Sequence, residues 1–154
     1  MITVSRRDEA DGIHIQIAGT IEESVNLDAE IGPVSQKLYI NCKGILRINS
    51  VGVKAWIVYF QKLRANGISF QFEECSPPIV DQMNMISNFS CGGPVLSILL
   101  PFSCTRCNKE FMVSCPTERL KATDLQVPPV KCEQETCGAV FDDDPDEYFS
   151  FLDN

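Results

Sequence analysis

Residues 38–70 read LYINCKGILRINSVGVKAWIVYFQKLRANGISF, and the reading of this stretch decides the fold. Its middle predicts a helix from about Val51 to Ala65. Val53, Trp56, Ile57, Phe60 and Leu63 fall at i, i+3, i+4, i+7 and i+10, which makes one apolar stripe. Lys54, Gln61, Lys62 and Arg64 take the wet side. Asn49 or Ser50 can cap the amino end, and Asn66-Gly67 supplies a left-handed stop. The flanks, Lys37–Cys42 and Ile68–Phe72, read as strands.

The same alternation extends outward. Ile13, Ile15 and Ile17 alternate with His14 and Gln16, as in a strand with one buried face. His14, the only histidine, then projects from the opposite face as a partly exposed side chain. A short helix over Val25–Ile31 is expected, stopped by Gly32-Pro33. Ser76-Pro77 has the form of an N-cap followed by a first-turn proline, opening a helix with Ile79, Val80, Met83 and Ile86. Gly92-Gly93-Pro94 is a turn, and Val95–Leu100 (VLSILL) is a last strand. Helices that regularly separate strands predict an α/β fold, with a parallel or mixed sheet covered by helices.

This order and its local motifs resemble the STAS domain, the family of anti-sigma-factor antagonists. Gly19-Thr20-Ile21-Glu22 matches the family's first turn, and Leu38–Ile48 matches its central strand. Asn49-Ser50-Val51-Gly52-Val53 matches its Asp-Ser-(Ser/Ala)-Gly-(Leu/Val) loop, with Asn49 standing where the family has aspartate. Leu63-Arg64-Ala65-Asn66-Gly67 and Ile68-Ser69-Phe70 are similar to the helix end and strand that follow. The likeness covers roughly residues 1–100. It implies a domain that binds a protein partner, a kinase that is also an anti-sigma factor. It also implies that Ser50 is the phosphorylated position, with Asn49, Val51 and Gly52 in the contact surface. A phosphate adds about −1.5 to −2 charge, which the free N–H groups of a helix start tolerate and a surface built round a neutral hydroxyl does not. Capping alone would also justify a serine there.

The rest of the chain has another character. Five of the eight cysteines lie after residue 103, and residues 101–154 carry 5 basic against 11 acidic side chains. The expected division therefore falls near Pro101, giving a STAS-like domain over 1–100 and a smaller module over 101–154. Cys104-Thr105-Arg106-Cys107 and Cys132-Glu133-Gln134-Glu135-Thr136-Cys137 are two close cysteine pairs, each able to direct two thiolates at one ion. Four such ligands suit tetrahedral Zn²⁺ and leave no open position for catalysis. Lys109–Val113 and Ala139–Phe141 can be the strands of a Cys₄ zinc ribbon round Cys104, Cys107, Cys132 and Cys137. Cys115 could substitute for one ligand; Cys42, Cys75 and Cys91 read as buried thiols. The tail, Asp142–Leu152, is acidic and then aromatic, and reads as a docked terminal helix or as a partner-binding segment.

Charge and composition exclude other classes. The net charge of −8 argues against general nucleic-acid binding, which rests on basic side chains neutralising phosphates. One histidine leaves no HExxH zinc site and no material for a Cys-His or Ser-His-Asp enzyme. No stretch approaches the ~20 apolar residues of a membrane span, and the first residues lack the apolar run of a secretory signal, so a cytoplasmic chain is expected. Together these point to a non-enzymatic regulatory protein that binds a kinase/anti-sigma factor or another signalling protein and carries structural zinc. The rival is a nucleic-acid-associated zinc-ribbon protein whose first domain is only a scaffold.

Overall fold

The structure, a computed structural model, describes residues 1–131 and 138–153. It is a mixed α/β fold built on a four-stranded mixed sheet and a three-stranded antiparallel one. The first sheet runs in the order β1 (Ile2–Glu9), β2 (Gly12–Ile21), β3 (Leu38–Ile48), β4 (Phe70–Glu73). β1 pairs antiparallel with β2, while β2, β3 and β4 are parallel to one another. Parallel neighbours need crossovers, which α1 (Leu27–Ile31) and α2 (Ser50–Ala65) provide. α3 (Pro77–Met85) then leads to β5 (Ser97–Cys104).

Each element forms for a local reason. Asn26 caps α1 through its side-chain oxygen, which accepts from the Ala29 N–H, and Gly32, at φ 83°, ends that helix. α2 carries the predicted stripe: Trp56, Phe60 and Leu63 are buried. Ser76 stands at the N-cap position of α3 with Pro77 in the first turn, yet its hydroxyl makes no cap bond. It donates instead to the Ile45 carbonyl at 2.7 Å, tying α3 to β3.

One contiguous core joins the inner face of β2 and β3 (Ile13, Ile15, Ile17, Leu38, Ile40) to the buried faces of α1, α2 and α3. Trp56 sits at its centre, stacked 5.2 Å from Phe89 and 5.6 Å from Phe72, with Phe60 tilted against it at 4.8 Å. Its indole N–H donates to the Phe89 carbonyl at 3.2 Å. The outer face of the sheet stays polar: His14, Gln16, Tyr39, Asn41, Gln71 and Glu73 lie along it, none of them buried.

Three features depart from the sequence reading. β1 was not expected, because only Ile2 and Val4 mark its inner side before Arg6 interrupts the pattern. The Arg6 guanidinium turns inward, donating to the Ile31 and Pro33 carbonyls at 2.9 and 2.7 Å and pairing with Asp8. A helix, α4 (Thr117–Ala122), which the sequence reading does not include, stands between the cysteine pairs and buries Leu120. The third concerns the expected division near Pro101, which falls inside β5.

β5 serves both halves. At its start, bridges Phe72↔Val95 and Cys75↔Ile98 run parallel to the end of β4. Along its length it pairs antiparallel with β6 (Glu110–Pro116) and, at its far end, with β7 (Ala139–Phe141). The core is continuous across this strand, since Phe102, Cys115, Leu120, Tyr148 and Phe149 belong to the same cluster as Trp56. The tail forms α5 (Pro145–Tyr148) and a 3₁₀ turn (Ser150–Leu152). Tyr148 and Phe149 are buried against Phe141, and the Tyr148 hydroxyl donates to the Leu99 carbonyl. The tail is docked, as the first of its two readings expects.

Candidate functional site

The loop between β3 and α2 is held from below by backbone. Asn49 N–H donates to the Ile21 carbonyl at 3.2 Å, and the Asn49 side-chain oxygen accepts from Gly52 N–H at 2.8 Å. Asn49 is therefore the N-cap of α2. Its amide nitrogen also donates to Glu23 Oε1 at 3.0 Å, linking the loop to the end of β2. Gly52 is buried so tightly that a Cβ there would lie 2.2 Å from the Ile21 carbonyl oxygen. That approach seats the first turn of α2 on the end of β2.

Ser50 is then not the cap. It is the first helical residue, it is exposed, and among the described residues its hydroxyl has no hydrogen-bond partner. Val51 is exposed beside it, and Lys54 stands one turn further along α2. Next to this loop lies a groove of about 490 Å³ between the end of β3 and α3, lined by Leu46, Ile48, Asn49, Asp81, Gln82 and Met85 among others. Leu46 is 70% and Met85 69% exposed, large apolar side chains with nothing over them in the described structure.

The sequence reading missed Leu46 and Met85. A signal for Leu46 exists in hindsight: Leu38, Ile40 and Cys42 are in phase, and the ladder with β2 slips at Gln16/Ala18, so that Ile45 turns in and Leu46 out. Met85 lies off the apolar stripe of α3, in line with Pro78, Asp81 and Gln82, and has no comparable signal.

The cysteines divide by surroundings. Cys42, Cys75, Cys91, Cys104 and Cys115 are buried, and Cys107 is exposed. Burial pushes the Cys42 thiol well up, helped by the neighbouring Cys75 side chain, and burial likewise raises Cys91 and Cys115. Groups pushed in that direction are poor thiolate ligands. Cys115 pairs with Ile98, six residues along β5 from Cys104, a separation of roughly 20 Å at strand rise. It is not in reach of the first cysteine pair.

Cys104 closes β5, and Cys107 lies on the turn beyond it. The Cys107 N–H points at Cys104 Sγ at 3.5 Å, Asn108 N–H donates to the Cys104 carbonyl at 3.0 Å, and Cys104 N–H donates to the Lys109 carbonyl at 2.9 Å. Asn108 takes φ 56°, the left-handed conformation that asparagine tolerates. One backbone N–H, that of Cys107, is thus directed at the Cys104 sulfur. The second pair, Cys132 and Cys137, lies outside the described residues. Their covalent neighbours are described: Lys131 and Gly138 form an antiparallel bridge, and Thr105 N–H donates to the Gly138 carbonyl at 3.1 Å. The register of β5 with β7 sets Ala139 opposite Cys104.

One further donor group occurs among the described residues. His14 Nε2 lies 3.0 Å from Asp11 Oδ1 and 3.5 Å from Glu9 Oε2, with the ring stacked on Tyr39. The imidazole hydrogen bond holds the Asp11 carboxyl below its usual range. No helix among the described residues is long and apolar enough to cross a membrane. No protein-family model matches the sequence, and no curated protein matches it either.

Proposed function

We propose that the chain is a non-enzymatic regulatory module of the anti-sigma-factor-antagonist type, acting in the cytoplasm, whose STAS-like part binds a protein partner over the Ser50 loop and is switched by phosphorylation there. One observation carries the reading: capping falls to Asn49, which leaves Ser50 with an exposed hydroxyl at the first turn of α2, beside an apolar groove. A phosphate on that hydroxyl meets the positive end of a four-turn helix and Lys54 at i+4, so the fold accepts it. The same added charge, set beside Val51, Asn49 and the groove, opposes a partner seated on a neutral surface. Supporting it further, the strand–helix alternation from β2 to β4 follows the order on which the resemblance rests.

Ser50→Ala is expected to retain its co-purifying partner, and Ser50→Asp to lose it by tenfold or more in recovered amount, about 1.4 kcal/mol. Mass spectrometry of the protein isolated from its native cell is expected to find phosphate on Ser50. Equal recovery with both variants would defeat the switch.

The same reading gives the C-terminal tip a structural Zn²⁺ held by Cys104, Cys107, Cys132 and Cys137. Bound there, zinc supplies four strong bonds to thiolates and no open coordination position. The turn geometry at Cys104–Lys109, and the seating of Gly138 against Thr105 with Lys131 bridged to Gly138, support that set. Elemental analysis is expected to return about one zinc per chain. A strong chelator is expected to raise amide exchange over residues 102–113 and 139–141 while α2 stays protected, because β5 anchors the rest of the module in the shared core. Metal-free protein with unchanged exchange would end the assignment. Arg106, Lys109 and Lys131 on the tip are the one observation favouring the nucleic-acid rival, and salt-dependent retention on DNA or RNA would reveal it.

A further inference from the structure

The tip of the first hairpin brings metal-ligating side chains of two kinds, one imidazole and two carboxylates, to a single point. Glu9 ends β1, Asp11 lies in the turn, and His14 is the third residue of β2. His14 Nε2 stands 3.0 Å from Asp11 Oδ1 and 3.5 Å from Glu9 Oε2, and all three ligand atoms lie within 4.8 Å of one another. Atoms bound at about 2.0–2.1 Å to one tetrahedral or octahedral ion are about 2.9–3.4 Å apart, so the imidazole contacts already have the spacing of a coordination shell.

The frame that holds these atoms is rigid. Glu9 is paired with Gly12 and Arg7 with His14 across the β1–β2 ladder. Gly12 takes φ 146°, and a Cβ there would lie 2.4 Å from the Lys37 carbonyl oxygen. Ile13 N–H donates to that same carbonyl at 2.8 Å, which pins the hairpin tip to the start of β3. The half-buried His14 ring is stacked on Tyr39, centroids 4.3 Å apart and planes 3° from parallel, which fixes where its nitrogen points. Ligands set in place before binding give up little freedom to an arriving ion.

A proton does not satisfy the arrangement. Nε2 carries at most one, and a single N–H cannot point along both carboxylate contacts at full strength. A divalent ion bonds all three atoms together. Arg7 Nη1 lies 3.3 Å from Glu9 Oε1, the oxygen of that carboxylate turned away from His14, and orients it from behind. Arg7, and Lys37 with its Nζ 5.0 Å from the Tyr39 ring centre, also offset the carboxylate charge. General attraction to hard cations is therefore weak, and the imidazole decides which ion binds. Imidazole with carboxylate selects Zn²⁺, Ni²⁺ and Cu²⁺ over Mg²⁺ and Ca²⁺. His14 and Arg7 both line a polar depression of about 360 Å³, which has room for the waters such an ion keeps.

We propose that Glu9, Asp11 and His14 form a site for a divalent transition-metal ion of the Zn²⁺/Ni²⁺ type, with three protein ligands and the remaining positions open to water or an exchangeable ligand. The site shares no residue with the cysteine set and does not depend on the reading of Ser50.

The test is a titration of the full chain with Ni²⁺, whose paramagnetism broadens the amide signals nearest to it. Signals of Glu9, Asp11, His14 and Tyr39 are expected to broaden with one shared dissociation constant, and Zn²⁺ should restore them where excess Mg²⁺ does not. Because the broadening locates the ion, metal taken up by the cysteines is read separately. His14→Gln, Asp11→Asn and Glu9→Gln should each weaken binding by at least about tenfold, a loss that even the outer partners of a ligand can cause. Asp28→Asn, which removes a carboxylate paired with Lys62 elsewhere, should leave binding unchanged. The Trp56 indole signal reports whether each variant is folded. A readout that needs no variant is the His14 side chain, whose Nε2 signal should shift when Zn²⁺ binds. Weakening of less than about tenfold in either carboxylate variant would mean a lone imidazole holding an adventitious ion only, and would overturn the inference. Broadening that spares Glu9 to His14, an unshifted Nε2 signal, or Mg²⁺ competing as well as Zn²⁺ would each overturn it too.

Discussion

Gly52→Ala is expected to destabilise the protein by about 3 kcal/mol, at the upper end of what an overpacked site costs. The added methyl would lie 2.2 Å from the Ile21 carbonyl oxygen and 2.8 Å from its carbon. Both are main-chain atoms of the last residue of β2, so no side-chain rotation relieves the clash. Either the first turn of α2 lifts or the end of β2 bends away. Both movements break the Asn49 cap and the Asn49-to-Ile21 bond, because all three elements meet within one turn. At this chain length the loss corresponds to a melting temperature lower by about 10 °C. A thermal melt followed by far-UV dichroism measures it. Unchanged melting would mean that β2 and α2 are less tightly seated than described. Ser50 rides on the same turn, so partner recovery should fall with stability in this variant.

The second large effect is expected at Trp56. It is fully buried and touches Phe60, Phe72 and Phe89, so Trp56→Ala leaves a cavity bounded by three aromatic rings and removes the indole donor from the Phe89 carbonyl. Large-to-small aromatic substitutions of this kind cost about 3–5 kcal/mol. That approaches the whole stability of an ordinary domain. Trp56→Phe keeps most of the volume and gives up the indole hydrogen bond, so its cost should be nearer 1–2 kcal/mol. Urea titration of both variants separates the two contributions. Similar losses would mean that the hydrogen bond, and not the packing, holds this corner.

The sequence made the helical stripe of α2 legible because five apolar positions at one period are hard to produce otherwise, and Trp56, Phe60 and Leu63 are buried as that stripe requires. The alternation of Ile13, Ile15 and Ile17 placed β2 for the same reason. β1 was illegible because an edge strand whose inner row ends in Arg6 carries a charge where the period demands an apolar residue. The site was legible in part. Asn49 and Ser50 were both candidate caps, and only backbone geometry separates them: the Asn49 side chain reaches Gly52, which leaves Ser50 outside the capping interaction. The groove was hidden because it is made by a slipped register on β3 and by the last turn of α3, two places where a one-dimensional pattern loses phase. Docking of the tail was suggested by Tyr148, Phe149, Phe151 and Leu152, but its anchor, Asn84 on α3, carries no mark in the sequence.

β5 bears on how such a chain could have come together. A segment added by simple gene fusion would be joined at a seam that few interactions cross. Here the strand that opens the second sheet is the same one whose first residues lie along β4. Any recombination event that cut near Pro101 would leave each product with half a strand and an open apolar flank. The two parts thus share a strand and a core that neither could keep alone.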